Sequence, residues 1–89
     1  MPRIRFTPNL ERHLACPPAD VAGATVRAAL DAVFGDNPRL RSYLLDDQGR
    51  LRRHVNVFVN GAAIGDRAGL SDPVAPGDEI FVIQSLTGG

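Results

Sequence analysis

The 89 residues of this chain are enough for one domain with a single modest hydrophobic core, which leaves little room for a deep substrate cavity. Hydrophobic residues make up 44% of the chain and charged residues 22%, and no apolar run approaches the roughly 20 residues of a membrane span, so we expect a soluble domain. Ten acidic residues balance ten basic ones without strong clustering, so the charge pattern of a nucleic-acid-binding protein is missing.

The N-terminal segment has the pattern of two strands. Ile4 and Phe6 alternate with polar neighbours, the period of two that is typical of a strand with one face on a core. After a turn at Pro8-Asn9, a second alternating stretch from residue 10 to residue 16 could return as the hairpin partner before Pro17-Pro18 ends it. No apolar signal-peptide core precedes these strands, so we expect a cytoplasmic protein.

The clearest element is a helix that begins after Thr25, the predicted N-cap. Its apolar residues fall on one helical stripe and are Val26, Ala29, Leu30, Val33 and Phe34. Gly35 fits the C-terminal cap, and Pro38 lies just beyond it. The sequence therefore predicts one main helix packed across one sheet.

Two further segments follow the helix. Apolar residues at 43–45 and at Leu51 flank a polar stretch that contains Gly49, which suggests a short hairpin or an excursion at the sheet edge. Val55, Val57 and Val59 then alternate with their neighbours in a strand that ends at the turn signal Asn60-Gly61.

The last part of the domain is predicted to be a loop and then a strand. Residues 65–77 are rich in Gly, Asp and Pro, and we expect Leu70 and Val74 to plug this loop into the core. Residues 78–84 form the final strand. Together these elements indicate an α+β domain with a mixed sheet covered on one face.

The final strand is apolar on both faces, although one helix can cover only one of them. If it neighbours the preceding strand, Phe58, Phe81 and Ile83 form an apolar patch on the uncovered face, and such patches commonly mark partner surfaces. The alternative is that the hairpin around Leu44 and Leu51 folds over these side chains.

Few side chains in this sequence suit catalysis. There is no nucleophile paired with a base and no phosphate-binding glycine loop with a lysine, because all the basic residues are arginines. Cys16 has no cysteine partner, and with only His13 and His54 there is no spaced set of metal ligands. A structural role for Cys16 is favoured over a functional thiol.

We predict a folded domain of residues 1–84 followed by a tail of residues 85–89. The tail ends in Leu86-Thr87-Gly88-Gly89. Fully extended, it reaches about 17 Å beyond the strand at roughly 3.3 to 3.6 Å per residue. Glycine has no Cβ, so such a tail can carry the carboxylate of Gly89 along a narrow channel to a buried site. The alternative is a frayed chain end.

Five segments, in this order and spacing, connect the chain to a known family: the Ile4/Phe6 strand, Gly23-Ala24-Thr25-Val26-Arg27, Val57-Phe58-Val59-Asn60-Gly61, Pro76-Gly77-Asp78-Glu79-Ile80 and Gly88-Gly89. They resemble the ubiquitin-like sulfur carriers, which include the small subunit of molybdopterin synthase and the thiazole-synthesis sulfur carrier. The resemblance covers nearly the whole chain. It implies a β-grasp fold, with a mixed sheet of four to five strands and one main helix on one face.

The resemblance also implies a role as a carrier protein rather than an enzyme, with no bound cofactor. A ubiquitin-activating-type enzyme would use ATP to adenylate the carboxylate of Gly89, and a persulfide donor would replace AMP with sulfur. The resulting thiocarboxylate would supply an acceptor biosynthetic enzyme. In the family, partners grip the sheet face near the tail, which matches the patch of Phe58, Phe81 and Ile83.

Several alternatives stay open at this point. The acceptor pathway could make molybdopterin, cysteine or another sulfur metabolite. A second function is a protein modifier joined to target lysines through its C-terminal glycine; without lysines of its own, this chain could not build side-chain-linked chains on itself. A third is a β-grasp interaction module whose tail is inert.

Overall fold

The computed structural model describes residues 1–8, 10 and 17–84. Five strands and two helices lie wholly within them: β1 (Arg3–Phe6), β2 (Ala19–Asp20), α1 (Val26–Asp36), α2 (Pro38–Leu44), β3 (Val55–Val59), β4 (Ala62–Ala63) and β5 (Glu79–Gln84). None of the helices in this described part combines the length and the apolar character that crossing a bilayer would need.

The strands form one mixed sheet in the order β2-β1-β5-β3-β4. The central strands β1 and β5 run parallel, and the other neighbouring pairs are antiparallel. The predicted mixed sheet with one main helix on one face, the β-grasp arrangement, is therefore confirmed. A parallel pair needs a long crossover connection, and here the helices lie in the segment between the two strands.

The core lies between the sheet and the helices. The sheet contributes alternate residues of its three longest strands, namely Ile4, Phe6, Val55, Val57, Ile80 and Val82. Helix α1 contributes Val26, Ala29, Leu30 and Phe34. Leu70 and Val74 are 0% and 8% exposed, which confirms the prediction that they plug the loop into the core.

The N-terminus of α1 is capped as predicted. The backbone N–H of Ala28 donates to Thr25 Oγ1 at 3.2 Å. The first N–H groups of a helix have no partner within the helix; those of Val26 and Arg27 donate instead to carbonyl oxygens of Asp72 and Leu70. The loop after β4 is thereby fixed to the start of α1.

The predicted end of this helix is wrong. Gly35 is not the cap, because α1 continues to Asp36 and Asn37 is the C-cap. Asn37 has φ −143° and ψ 78°, as expected for a residue before proline, for which the helical region is disfavoured. Pro38 then begins α2, where its missing N–H is not needed.

The predicted short hairpin or excursion around residues 43–51 is confirmed only in part. Tyr43 and Leu44 belong to α2, and only an isolated bridge between Leu45 and Leu51 resembles a strand pair. The polar turn between them is held by Asp46, whose side chain accepts hydrogen bonds from the backbone N–H groups of Gln48 and Arg50. The segment packs inward, because Leu44 is fully buried.

The structure tests the predicted second N-terminal strand only at Leu10. Leu10 is helical and buried rather than extended, and residues 11–16, with His13 and Cys16, lie outside the described residues. Among the described strands, the antiparallel partner of β1 is β2, which follows Pro17-Pro18. Proline cannot donate to a ladder, and the paired residues Ala19 and Asp20 lie just beyond Pro17-Pro18.

The Asn60-Gly61 turn is confirmed. Asn60 has φ 51° and Gly61 has φ 86°, and two consecutive positive values are the signature of the type I′ hairpin turn. The turn joins β3 to the short edge strand β4.

Candidate partner-binding face

The uncovered face of the sheet brings Phe58 and Phe81 together. The two residues are directly opposite each other in the antiparallel pairing of β3 and β5, so their side chains share one side of the sheet. Ile83 lies on the same side, two residues further along β5 and opposite Asn56. These three apolar residues form the predicted patch, which we call the outer patch.

The outer patch is half-buried rather than fully exposed. The segment that could have covered it does not do so. Leu44 and Leu51 are in the core cluster, together with Ile80 and Val82 on the other side of β5. The patch role itself stays a prediction.

Arg5 borders the outer patch on the β1 side. Its guanidinium carbon lies 5.6 Å from the centre of the Phe81 ring, within the range of a cation–π contact. The same guanidinium is 3.4 Å from the carboxylate of Glu79, and both side chains are about half exposed. Sequence reasoning missed Arg5 as part of this face, although its position between Ile4 and Phe6 places it on the outer side.

The tail leaves the sheet at Gln84, the last residue of β5, which is opposite Val55 at the start of β3. Leu86, Thr87, Gly88 and Gly89 lie outside the described residues. The division of the chain at residue 84 and the roles of these tail residues therefore stay predictions.

Three arginines cluster where β3 begins beside the end of β5, and we call them the tail-root arginines: Arg52, Arg53 and Arg67. Arg52 and Arg53 lie in the turn that leads into Val55. Arg67, in the loop after β4, donates from Nη2 to the carbonyl oxygen of Arg52 at 2.8 Å and from Nη1 to Asn56 Oδ1 at 3.1 Å. Sequence spacing gave no indication of this cluster.

The loop that carries Arg67 is held by two carboxylates, those of Asp66 and Asp72, which accept hydrogen bonds from other residues of the loop. Asp66 accepts hydrogen bonds from the hydroxyl of Ser71 at 2.6 Å and from the backbone N–H of Gly69 at 2.8 Å. These bonds, that of the Ser71 hydroxyl foremost, lower the pKa of Asp66 to about 2. Backbone N–H groups of Gly65 and Asp66 likewise lower the pKa of Asp72.

Acidification should therefore loosen this loop. The pKa of Asp66 is lower in the folded protein, at about 2, than in the unfolded chain, at about 3.9. The unfolded chain consequently takes up the proton first, and stability that is complete above about pH 4 is lost as the pH falls towards 2. We expect Asp66→Asn to unfold at a lower temperature than wild type at neutral pH, and to show less further loss on acidification.

The measurement is the thermal midpoint by circular dichroism between about pH 2 and pH 7. The matched control is Asp31→Asn, on the exposed side of α1, which should leave the pH dependence unchanged. An Asp66→Asn variant with the wild-type pH profile would contradict the assignment.

We also searched the described residues for a metal site. Among the described residues, no group of three or more His, Cys, Asp or Glu side chains could hold a metal ion. His54 is half-buried in the turn before β3.

Comparison with known proteins gives consistent matches. The model of the ThiS family matches residues 17–89. Small archaeal modifier protein 1 of Haloferax volcanii is 44% identical over 71 residues, which cover 79% of this chain and 77% of that protein. Sulfur carrier protein CysO of Mycobacterium tuberculosis is 27% identical over 70 residues, covering 76% and 75%.

Solved structures agree with the fold described above. The crystal structure of the Haloferax volcanii modifier superimposes with a TM-score of 0.79 at 34% identity and covers 99% of this chain and 98% of that one. The crystal structure of the Amycolatopsis orientalis BexX/CysO complex matches with a TM-score of 0.84 at 24% identity and full coverage of both chains, which shows the fold alone. The family resemblance is thus confirmed, and this chain belongs to the ThiS family of small ubiquitin-like carrier proteins, which are not themselves enzymes.

Proposed function

We propose that this protein is a sulfur carrier whose Gly89 carboxylate is adenylated by a partner enzyme and converted to a thiocarboxylate, the sulfur of which passes to a biosynthetic enzyme. One observation carries the proposal: β5 delivers the tail from the edge of the outer patch, next to Phe81 and Ile83. A partner that docks on the patch is therefore placed to receive the tail. The similarity to CysO, named as a sulfur carrier, supports the same reading.

The chemistry explains why a tail is needed. A carboxylate is a poor electrophile, so the partner first joins Gly89 to the α-phosphate of ATP and releases pyrophosphate. A persulfide on the donor then attacks the acyl carbon and expels AMP, which leaves an acyl disulfide. A second thiol of the donor attacks that disulfide, is itself oxidised to a disulfide, and releases the thiocarboxylate.

In this proposal the folded domain and the tail have separate roles. The folded domain offers rigid binding area on the outer patch, whereas residues 85–89 would enter the active site in extended form. The extended tail would place the reacting carbon of Gly89 up to about 17 Å from the end of the docking surface. Binding of the domain thus makes the reaction at Gly89 effectively intramolecular.

The test is intact-protein mass spectrometry after incubation with ATP, the adenylating enzyme and a persulfide donor. We expect the mass to change by the replacement of one oxygen with sulfur, and fragmentation should place the change at Gly89. Reactions without ATP and a variant lacking Gly89 are the controls. An unchanged mass with each cognate adenylating enzyme would sink the proposal.

A second candidate function is favoured by the 44% identity to a protein named as a modifier. In that case the adenylated Gly89 is attacked by a lysine amine of a target protein, and an isopeptide bond forms instead of a thiocarboxylate. Both functions share the activation step and can coexist in one protein. Immunoblots of cells that express the tagged protein decide this: higher-mass conjugates that disappear when Gly89 is deleted would establish the modifier function.

A further inference from the structure

The tail-root arginines are held next to the point where the tail begins. The backbone N–H of Val55 donates to the carbonyl oxygen of Arg52 at 3.0 Å and closes the turn. Arg67 donates to the same carbonyl oxygen at 2.8 Å. Since Val55 is opposite Gln84, the backbone that carries Arg52 and Arg53 lies at the end of the sheet where the tail begins.

None of the tail-root arginines is neutralised by a carboxylate within the described residues. The ion pairs found there involve Arg3, Arg5 and Arg50 instead. Arg67 binds only neutral oxygens, those of Arg52 and Asn56. In a chain of zero formal net charge, this leaves a local cationic site at one end of the sheet.

Two of the tail-root arginines, Arg52 and Arg67, are more ordered than solvated surface arginines. Arg67 is half-buried, and two hydrogen bonds fix its guanidinium. Arg52 donates from Nε to the carbonyl oxygen of Ser42 at 3.0 Å. Arg53 is exposed, and its side chain makes no hydrogen bond or ion pair among the described residues. Fixed cations lose little conformational freedom when they pair with an anion.

The reach of the tail decides which anion these arginines can meet. Gly89 can lie about 17 Å from the root, so phosphate groups at the reacting carboxylate are beyond the tail-root arginines. What lies against the root in a docked complex is the protein surface around the entrance of the tail channel. Carboxylates are the protein groups that pair with arginine.

We propose that the adenylating enzyme carries an acidic rim around the entrance of its tail channel, and that the tail-root arginines pair with this rim and guide residues 85–89 into the channel. This inference rests on the proposed function and adds the chemistry of the partner surface. Charges at the edge of an interface act mainly on the association rate and on its salt dependence.

The test is Arg53→Glu, because Arg53 is exposed and its side chain makes no hydrogen bond or ion pair within the part of the chain that the structure describes. Binding to the adenylating enzyme that acts on Gly89 is measured by stopped flow and calorimetry at about 50 and about 200 mM salt. We expect affinity to fall about tenfold at low salt, mostly through a slower association rate. Arg53→Lys should retain most of the wild-type affinity.

The matched control is Arg39→Glu, which makes the same charge change at an exposed position on α2, outside the sheet. It should lower affinity less than about twofold. Equal losses in the two variants, or no loss in Arg53→Glu, would overturn the acidic rim.

The thiocarboxylate assay separates this inference from the function on which it rests. If wild type is converted and Arg53→Glu binds like wild type, the carrier function stands and the acidic rim is wrong. If no adenylating enzyme converts wild type, the proposed function fails and the inference falls with it.

Discussion

The Phe58→Ala variant is expected to bind the adenylating enzyme about 30-fold more weakly than wild type, a loss of about 2 kcal/mol. Phe58 lies opposite Phe81 in the outer patch and is only half-buried in the free protein. A partner that covers the patch would bury the rest of its ring. Buried aromatic anchors near the centre of an interface dominate binding energies. Isothermal titration calorimetry measures the loss directly.

The control must separate lost contact from lost stability, because Phe58 also pairs with Phe81 within the sheet. Tyr43→Ala removes another half-buried aromatic ring, one that packs against the core from α2. Both variants should unfold at lower temperature, but only Phe58→Ala should lose affinity at a temperature where both are folded. A loss of similar size in Tyr43→Ala would argue against the outer patch as the docking surface.

The sequence predicted which residues of the three longest strands, β1, β3 and β5, share a face, and the structure confirms this. Alternation alone placed Ile80 and Val82 inside and Phe81 outside, because side chains in a strand alternate strictly between two faces. Alternation does not say which strands are neighbours. That β3 lies beside β5, with Phe58 opposite Phe81, depended on the sheet order.

Short elements were the part that sequence could not predict. Helix α2 has seven residues, too few for a helical period to be distinguished from a short strand. Its start signal, Pro38 at the first turn, was interpreted instead as the end of the preceding helix. Leu10 was placed in a strand for a similar reason, since a few alternating residues fit either element.

The cluster of tail-root arginines could not be predicted from the sequence, for a different reason. Arg67 binds the carbonyl oxygen of Arg52, a residue 15 positions away, and every residue but proline offers the same backbone acceptor and donor. No side-chain pattern can therefore mark such a contact. The tail itself shows the opposite case: Gly88-Gly89 was singled out from the sequence, and its role stays a prediction.

Replacing Gly23 by alanine is expected to lower the free energy of unfolding by about 1–3 kcal/mol, because the added methyl group has no space. A Cβ atom at this position would lie 2.7 Å from the backbone nitrogen of Ala29 and 3.1 Å from the backbone carbon of Ala28. Both atoms belong to α1 and cannot rotate away as a side chain could. The start of the helix must shift instead, and chemical denaturation measures the cost.

Gly35→Ala provides the contrast within the same region. Gly35 lies in α1, and an added Cβ would meet no atom within 4 Å, so alanine should stabilise the protein by about 0.5 kcal/mol through its helix preference. Gly23→Ala should also affect the loop after β4, because Val26 and Arg27 at the start of α1 donate to carbonyl oxygens of that loop. Faster amide hydrogen exchange there, with no change in Gly35→Ala, is the expected signature. Gly23→Ala with wild-type stability would show that the close approach to Ala29 can relax, and that this glycine is not what holds the helix against the loop.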